Sequence, residues 1–169
     1  MTSARPEVWL RGPVADIPPM LQPVAHGLLQ CREEVRETLM TLGDHALRVA
    51  PGGAATAEYH VRHAIGSLDR LFTYARGEQL TAAQLASLKA EYTATSSTAA
   101  DLIAAFDTAV ERALAQLRLT REAALLEPRE VGRARLPSTV IGLLFHAAEH
   151  TQRHTGQLAT TARVVRQHE

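Results

Sequence analysis

Apolar side chains recur at helical spacing in four long segments of the chain. In the first, from about Met20 to Leu42, apolar residues form one stripe, and glutamine and glutamate side chains lie on the opposite side. Comparable stripes run from about Thr56 to Arg76, from Thr98 to Leu119 and from Thr139 to Arg166. No segment shows a convincing strand alternation, so the pattern predicts an all-α four-helix bundle.

Turn-forming residues separate these helices, and two further elements lie between them. Thr81 to Glu91 is predicted as a short extra helix, because Thr81 suits the N-cap position with Gln84 three residues on. A long connection from Thr120 to Pro137 precedes the last helix. Any strands of the chain are predicted to lie in this connection, which would form a short hairpin or an extended segment. Ser138 is predicted to cap the last helix. No repeat or linker divides the chain, so residues 1–169 are predicted to form a single domain.

The charge balance and the cysteine count exclude some classes of protein to which the chain could belong. Lysine plus arginine equals aspartate plus glutamate at 18 each, so the chain offers no electrostatic footprint for nucleic acid or an anionic membrane. The single Cys31 excludes an internal disulfide, and its place in the first apolar stripe predicts packing rather than nucleophilic chemistry. With no apolar signal region and no apolar run of ~18 residues, a reduced, cytoplasmic setting without membrane contact is expected.

The last predicted helix carries the most informative segment. His146, His150 and His154 recur every four residues. Four residues exceed one helical turn by roughly 40°, so the three imidazoles form one slowly drifting stripe beside the buried face. Gln157 projects from nearly the same direction as His150. Adjacent histidines in such a stripe can share a metal ion, as in the HExxH helix of zinc proteases. The alternative is a set of partly buried core histidines with hydrogen-bond partners.

The second helix offers a further ligand, since His60 and His63 both lie near its start. Helical geometry places His63 on a polar strip beside the core face, whereas angle alone puts His60 nearer the core. Such a strip is typical of the wall of a polar cleft, and an ordinary helix flank is the alternative. The strip also contains Ser67, Arg70 and Tyr74. The outer, solvent-facing side is predicted to carry Arg62, Asp69 and Thr73.

Two charged residues near these strips have two interpretations each. Arg70 is a candidate for binding an anionic substrate group, and a structural salt bridge fits equally well. Glu149, adjacent to the histidine stripe, is a candidate to orient a ligand or to act as a base. On the surface it would instead pair with Arg153, four residues further on. The sequence therefore assigns no catalytic residue.

Two segments resemble the signature of a known family. HAAEHTQRHTGQL is similar to the HxxxHxGQ pattern of the DinB family, and YHVRHAIGSLDRLFTYARGE, from Tyr59 to Glu78, is similar to a segment of DinB-like relatives. The resemblance implies a YfiT-like four-helix bundle, often dimeric, with three histidine ligands to a divalent metal ion. Those ligands fall on His63, His150 and His154. His60 and His146 are then predicted to line the pocket or to support a ligand, and to matter less for affinity.

The resemblance also implies a chemistry. Zinc and nickel are the metals associated with this site, and some relatives are bacillithiol or mycothiol S-transferases, while many have no established activity. Three neutral imidazoles leave a divalent ion with an open position and its full double charge, so water or a thiol bound there would be activated. The leading hypothesis is a metal-dependent enzyme, a thiol S-transferase or a hydrolase, with a low-molecular-weight thiol as a further candidate cofactor. The alternatives are a non-catalytic metal-binding or stress-response protein and a helical dimer without metal.

Overall fold

The computed structural model describes residues 5–167 and confirms the predicted all-α architecture. Within this range the chain forms five α-helices and one two-stranded hairpin. Four of the helices are long, and the short one is the extra helix predicted from its capping residues. In chain order the elements are α1 (Gln22–Met40), α2 (Ala57–Ala75), α3 (Ala82–Ala90), α4 (Ala99–Leu119), β1 (Pro128–Val131), β2 (Leu136–Thr139) and α5 (Val140–Arg166).

The four long helices enclose an apolar core, and α2 and α5 share the most extensive packing. Leu28 of α1, Leu68 of α2, Phe106 of α4, and Leu144 and Leu158 of α5 are each at most 2% exposed. Burial of one such side chain stabilises the fold by about 1.5–3 kcal/mol. Exposed ion pairs contribute only about 0–1 kcal/mol each, so the core holds the bundle together. No helix in the described part of the chain has both the length and the hydropathy that crossing a membrane requires.

Threonine side chains cap the beginnings of α2, α3, α4 and α5. At α3 the predicted capping box forms, because Thr81 Oγ1 accepts from the Gln84 N–H at 3.2 Å and Gln84 Oε1 accepts from the Thr81 N–H at 2.9 Å. The prediction of Ser138 as the cap of α5 is wrong. Thr139 caps the helix by accepting from a backbone N–H at 3.1 Å, since Ser138 is paired with Arg129 in the hairpin.

The hairpin occupies the connection in which strand content was predicted. β1 and β2 pair antiparallel along four residues each. The strand content was predicted to end at Pro137, and this bound is two residues too early, because β2 continues to Thr139. Beyond the strand, the N–H of Val140 donates to the Glu127 carbonyl at 3.2 Å, so the chain stays paired up to the start of α5. The hairpin therefore leads directly into the helix that carries the histidine stripe.

The short helix α3 folds back onto the outer side of α2. Gln84 of α3 donates from its side-chain amide to Asp69 Oδ2 at 2.7 Å and to Thr73 Oγ1 at 2.8 Å. Thr73 is only 2% exposed, so the prediction that it faces solvent is wrong. The helical period of α2 predicts which residues share a face of the helix. It carries no information about α3, which covers the outer face of α2.

Candidate metal centre

The structure brings three histidines from two helices together. His63 lies on α2, and His150 and His154 lie one turn apart on α5. One ligand nitrogen of each ring lies within 4.8 Å of the others. The ring of His63 is centred 5.2 Å from that of His150 and 4.5 Å from that of His154, and the last two are 4.7 Å apart. The packing of α2 against α5 converts a stripe on one helix into a cluster.

Hydrogen bonds at the outer nitrogens indicate which atoms face the centre of the cluster. His63 Nδ1 lies 2.7 Å from Glu91 Oε2, and His154 Nδ1 lies 3.1 Å from His60 Nδ1. His63 Nε2 lies 3.0 Å from His150 Nε2. Since the Nδ1 atoms of His63 and His154 are engaged with Glu91 and His60, the Nε2 atoms of these two residues are the ones left for a shared ion.

The donor set fits a divalent transition metal. Zinc–nitrogen bonds of about 2.0–2.1 Å place two tetrahedral ligand atoms roughly 3.3–3.4 Å apart, close to the 3.0 Å between the Nε2 atoms of His63 and His150. His150 Nδ1 is buried and has no hydrogen-bond partner among the described residues. An ion held at Nε2 would not satisfy this atom, because the two nitrogens of an imidazole point in different directions, so the fit rests on the donor type and on the distance between the Nε2 atoms. These residues therefore suit the metal that the sequence predicts.

Burial and nearby imidazoles lower the pKa of His150 and His154 in the cluster and of His60 beside it. Burial, reinforced by repulsion from His63, His150 and His60, lowers the pKa of His154 to about 4. Burial also lowers the pKa of His150, with further contributions from His63 and His146. For His60, burial and then the nearby His63 lower the pKa in the same direction. Because only neutral imidazole binds a metal, these shifts leave ligands that are ready at neutral pH.

An aromatic pair that the sequence did not reveal covers one side of His63. The ring of Tyr59 stacks on His63 with centroids 5.4 Å apart and an interplanar angle of 16°. The Tyr59 hydroxyl donates to Tyr92 Oη at 3.2 Å. Burial and this hydrogen bond raise the pKa of Tyr59 to about 12, so the phenol stays protonated at neutral pH. Tyr92 is 77% exposed, which places the edge of this aromatic pair at the protein surface.

The two histidines predicted to support the ligands lie in different surroundings. His60 is 6% exposed and contacts His154 through their Nδ1 atoms. The side chain of His146 is 51% exposed, and its Nδ1 lies 3.2 Å from Glu149 Oε2. Glu149 is also bonded to Arg153, which lowers the pKa of its carboxyl group. The surface ion pair foreseen for Glu149 is therefore present.

The remaining candidates on α2 and α5 differ in their exposure to solvent. Tyr74 is buried and belongs to the hydrophobic core, and Ser67 is buried on the same helix. Gln157 is exposed to solvent. The thiol of Cys31 is 1% exposed, and burial raises its pKa to about 12, so Cys31 packs in the core as predicted.

Arg70 forms the buried salt bridge that was one of its two interpretations. Its Nη1 donates to Glu91 Oε1 at 2.5 Å, and Glu91 is only 4% exposed. The other carboxylate oxygen of Glu91 contacts His63. Glu91 was not among the residues predicted from the sequence, because it follows α3, outside both histidine-bearing segments. The sequence contained one indirect signal. His63 and Arg70 lie seven residues apart on one face of α2, and such a pair suits an acidic partner from another part of the chain.

A cavity of about 880 Å³ lies between α2, α3 and α4, and none of the three clustered histidines lines it. Its walls are both apolar and charged. They include Leu68, Phe72, Leu102, Arg62 and Arg112. Glu91 also contributes to its lining and contacts His63, so this one residue borders both the cavity and the histidine cluster.

A helical bundle that gathers three histidines from two of its helices defines a class of candidate metal-binding proteins. The chain belongs to the DinB superfamily, whose family model matches residues 28–158. This match begins within α1, ends within α5 and includes all three clustered histidines, so the family predicted from the sequence is confirmed. No curated protein matches the chain with significant similarity.

The different surroundings of His60 and His146 predict different effects of mutation. His60→Ala removes the partner of His154 Nδ1, so zinc affinity should fall about 10–100-fold, as it does when a group supporting a ligand is lost. His146→Ala removes an exposed ring and should change the affinity less than twofold. Calorimetric titration of both variants with zinc tests this difference. Equal affinities for the two variants would show that the contact with His60 is unimportant for the site.

Proposed function

We propose that this protein binds a divalent metal ion through the Nε2 atoms of His63, His150 and His154, and that it is a metal-dependent enzyme. The observation that carries the proposal is the convergence of three ligand nitrogens within 4.8 Å. The lowered pKa values of His150 and His154 support it, because the neutral form is the ligand form. Zinc and nickel are the metals proposed, since both suit imidazole ligands.

The residues around the cluster support an open coordination position. Only three side chains contribute to the metal-binding group within the described part of the chain. His60, the nearest further imidazole, is bonded to His154 through Nδ1. With neutral ligands, the ion would keep its double charge and promote deprotonation of a water molecule or a thiol. The reactions that use such chemistry are hydrolysis and transfer of a substrate group to a low-molecular-weight thiol.

One observation favours a second function, that of a non-catalytic metal-binding protein. None of the three histidines lines the cavity of about 880 Å³, so the walls of that cavity include no metal ligand. In this alternative the ion would connect α2 to α5 and stabilise the bundle. A ligand that binds the folded state alone stabilises it by mass action, which requires no turnover.

Metal analysis followed by a reaction screen tests the proposal and separates the two functions. Purified protein should contain or take up one equivalent of zinc or nickel at neutral pH. The loaded protein should then be assayed with bacillithiol, mycothiol and glutathione against electrophiles, and with hydrolysable esters and amides. Turnover that depends on metal supports the enzyme, whereas metal-dependent stabilisation without turnover supports the alternative. Failure to bind either metal would contradict both.

Metal affinity should depend on pH in a direction that the pKa shifts determine. A lowered pKa keeps an imidazole neutral to more acidic pH, so protons compete with the metal only at lower pH. His154, with a pKa of about 4, and His150, also lowered, should remain available below the ordinary histidine value of about 6.5. Zinc affinity measured between pH 5 and 8 should therefore change little from pH 8 to 7 and fall mainly below pH 6.5. A steep loss between pH 8 and 7 would contradict this.

A further inference from the structure

The carboxylate of Glu91 bridges the guanidinium group of Arg70 and the imidazole of His63. Its Oε1 accepts from Arg70 Nη1 at 2.5 Å, and its Oε2 lies 2.7 Å from His63 Nδ1. Glu91 is 4% exposed and Arg70 is 9% exposed, so both charges lie away from solvent. Removing a charged pair from water is costly and is compensated only by well-made hydrogen bonds. The bridge therefore contributes more to local arrangement than to stability.

The backbone around Glu91 is held in place from α2. Arg62 donates to the carbonyl of Ala90 at 2.8 Å and also to the carbonyl of Thr93, on either side of Glu91. The buried Glu58 accepts from the N–H of Thr95 at 2.9 Å and anchors the segment that follows. These contacts fix the end of α3 against α2, so the Glu91 side chain starts from a defined position.

A glycine in the middle of α2 makes room for the bridge. A Cβ atom at Gly66 would lie 2.6 Å from Arg70 Nη1 and closer still to Glu91 Oε1. Glycine is otherwise unfavourable inside a helix, where alanine is the best residue. The presence of glycine at this position is therefore explained by the close approach of the carboxylate to the helix backbone.

We infer that Glu91 is a positioning residue that orients His63 toward the metal, with Arg70 and Gly66 holding the carboxylate in place. A carboxylate paired with arginine accepts hydrogen bonds, so His63 Nδ1 donates to it. The lone pair of His63 is then on Nε2, the atom that lies 3.0 Å from His150 Nε2. Histidine ligands whose second nitrogen donates to a carboxylate have a fixed tautomer and a more basic ligand atom. This inference rests on the proposed metal site.

The first experiment reads the tautomer of His63 in metal-free protein, independently of metal binding. Nitrogen-15 NMR at pH 8, above the ordinary imidazole pKa of about 6.5, should show the proton of His63 on Nδ1. In Glu91→Ala the proton should shift mainly to Nε2. A His63 that carries its proton on Nε2 in the wild type would overturn the inference, and so would an unchanged tautomer in Glu91→Ala.

The second experiment measures zinc affinity in a matched set of variants. Glu91→Ala and Gly66→Ala should each weaken binding about 10–100-fold. Glu91→Gln should lie between Glu91→Ala and wild type, because its amide offers a single acceptor oxygen to two donors. Glu33→Ala, which breaks the ion pair between Glu33 of α1 and Arg11, is the control and should bind as the wild type does.

Circular dichroism melting separates positioning from folding. Gly66→Ala replaces glycine by the better helix former, so weaker zinc binding with an unchanged melting temperature indicates displacement of Glu91 rather than loss of fold. If Glu91→Ala fails to fold, Gly66→Ala still gives both measurements. Wild-type affinity in Glu91→Ala and Gly66→Ala would overturn the inference. Absence of zinc binding in the wild type would instead contradict the proposed metal site, and the tautomer of metal-free protein would still decide the role of Glu91.

Discussion

His150→Ala/His154→Ala should lose metal uptake and the metal-dependent rise in melting temperature together. Two of the three ligand nitrogens are removed, so only His63 remains of the group that the described residues form. For the wild type, metal at 100 times Kd stabilises the folded state by about 2.7 kcal/mol, a rise of roughly 5–10 °C for a domain of this size. Metal analysis and differential scanning fluorimetry, with and without zinc or nickel, measure both effects.

His26→Ala is the control for this experiment. His26 lies on α1, and its Nε2 is bonded to the Gly12 carbonyl at 3.0 Å, away from the cluster. The control should bind metal and respond to it as the wild type does. If the double variant took up one equivalent of metal with wild-type affinity, the site would lie elsewhere in the chain and the proposed function would lose its basis.

Phe106→Ala should strongly destabilise the bundle, and its effect should not depend on metal. Phe106 is 1% exposed and is among the largest fully buried side chains of the bundle. Truncation of a buried phenylalanine costs about 3–5 kcal/mol, because apolar contacts are lost and a cavity remains. For a chain of this length the melting temperature should fall by roughly 6–20 °C. Urea and thermal denaturation of metal-free protein test this.

Leu119→Ala provides the matched control on the same helix. Leu119 is 84% exposed, so its truncation should change the free energy of unfolding by less than about 0.5 kcal/mol. A loss below about 1 kcal/mol for Phe106→Ala would mean that the core is not packed as the structure has it around α4.

Much of the fold follows from short-range patterns. Each long helix lies within two residues of its predicted bounds, because its apolar stripe is a local feature. The capping box of Thr81 and Gln84 was predictable for the same reason. The burial of Thr73 was not predictable, since the period of α2 says nothing of α3 packing on its outer side. The cap of α5 at Thr139 was also missed, because pairing in the hairpin, rather than residue preference, occupies Ser138.

The candidate site was predictable in part. The four-residue spacing on α5 placed His150 and His154 on one face, as the structure has them. The choice of His63 over His60 came from the family resemblance, because helical angle alone favoured His60. The structure places both near the stripe, with His63 facing His150 and His60 facing His154. Glu91 could not be predicted, since its approach to His63 depends on how α3 returns to α2.

By itself the sequence determined the features that depend on neighbours along the chain. These are the helices, the capping box at Thr81, the register of histidines on α5 and the family to which the chain belongs. Only the tertiary structure decided which groups meet across helices, which nitrogen of each imidazole faces the cluster, and which carboxylate supports His63. The physical reason is that helical periodicity specifies the direction of a side chain around its own axis. The distance between two helices, and the contacts of Glu91 with Arg70 and His63, depend on packing throughout the bundle.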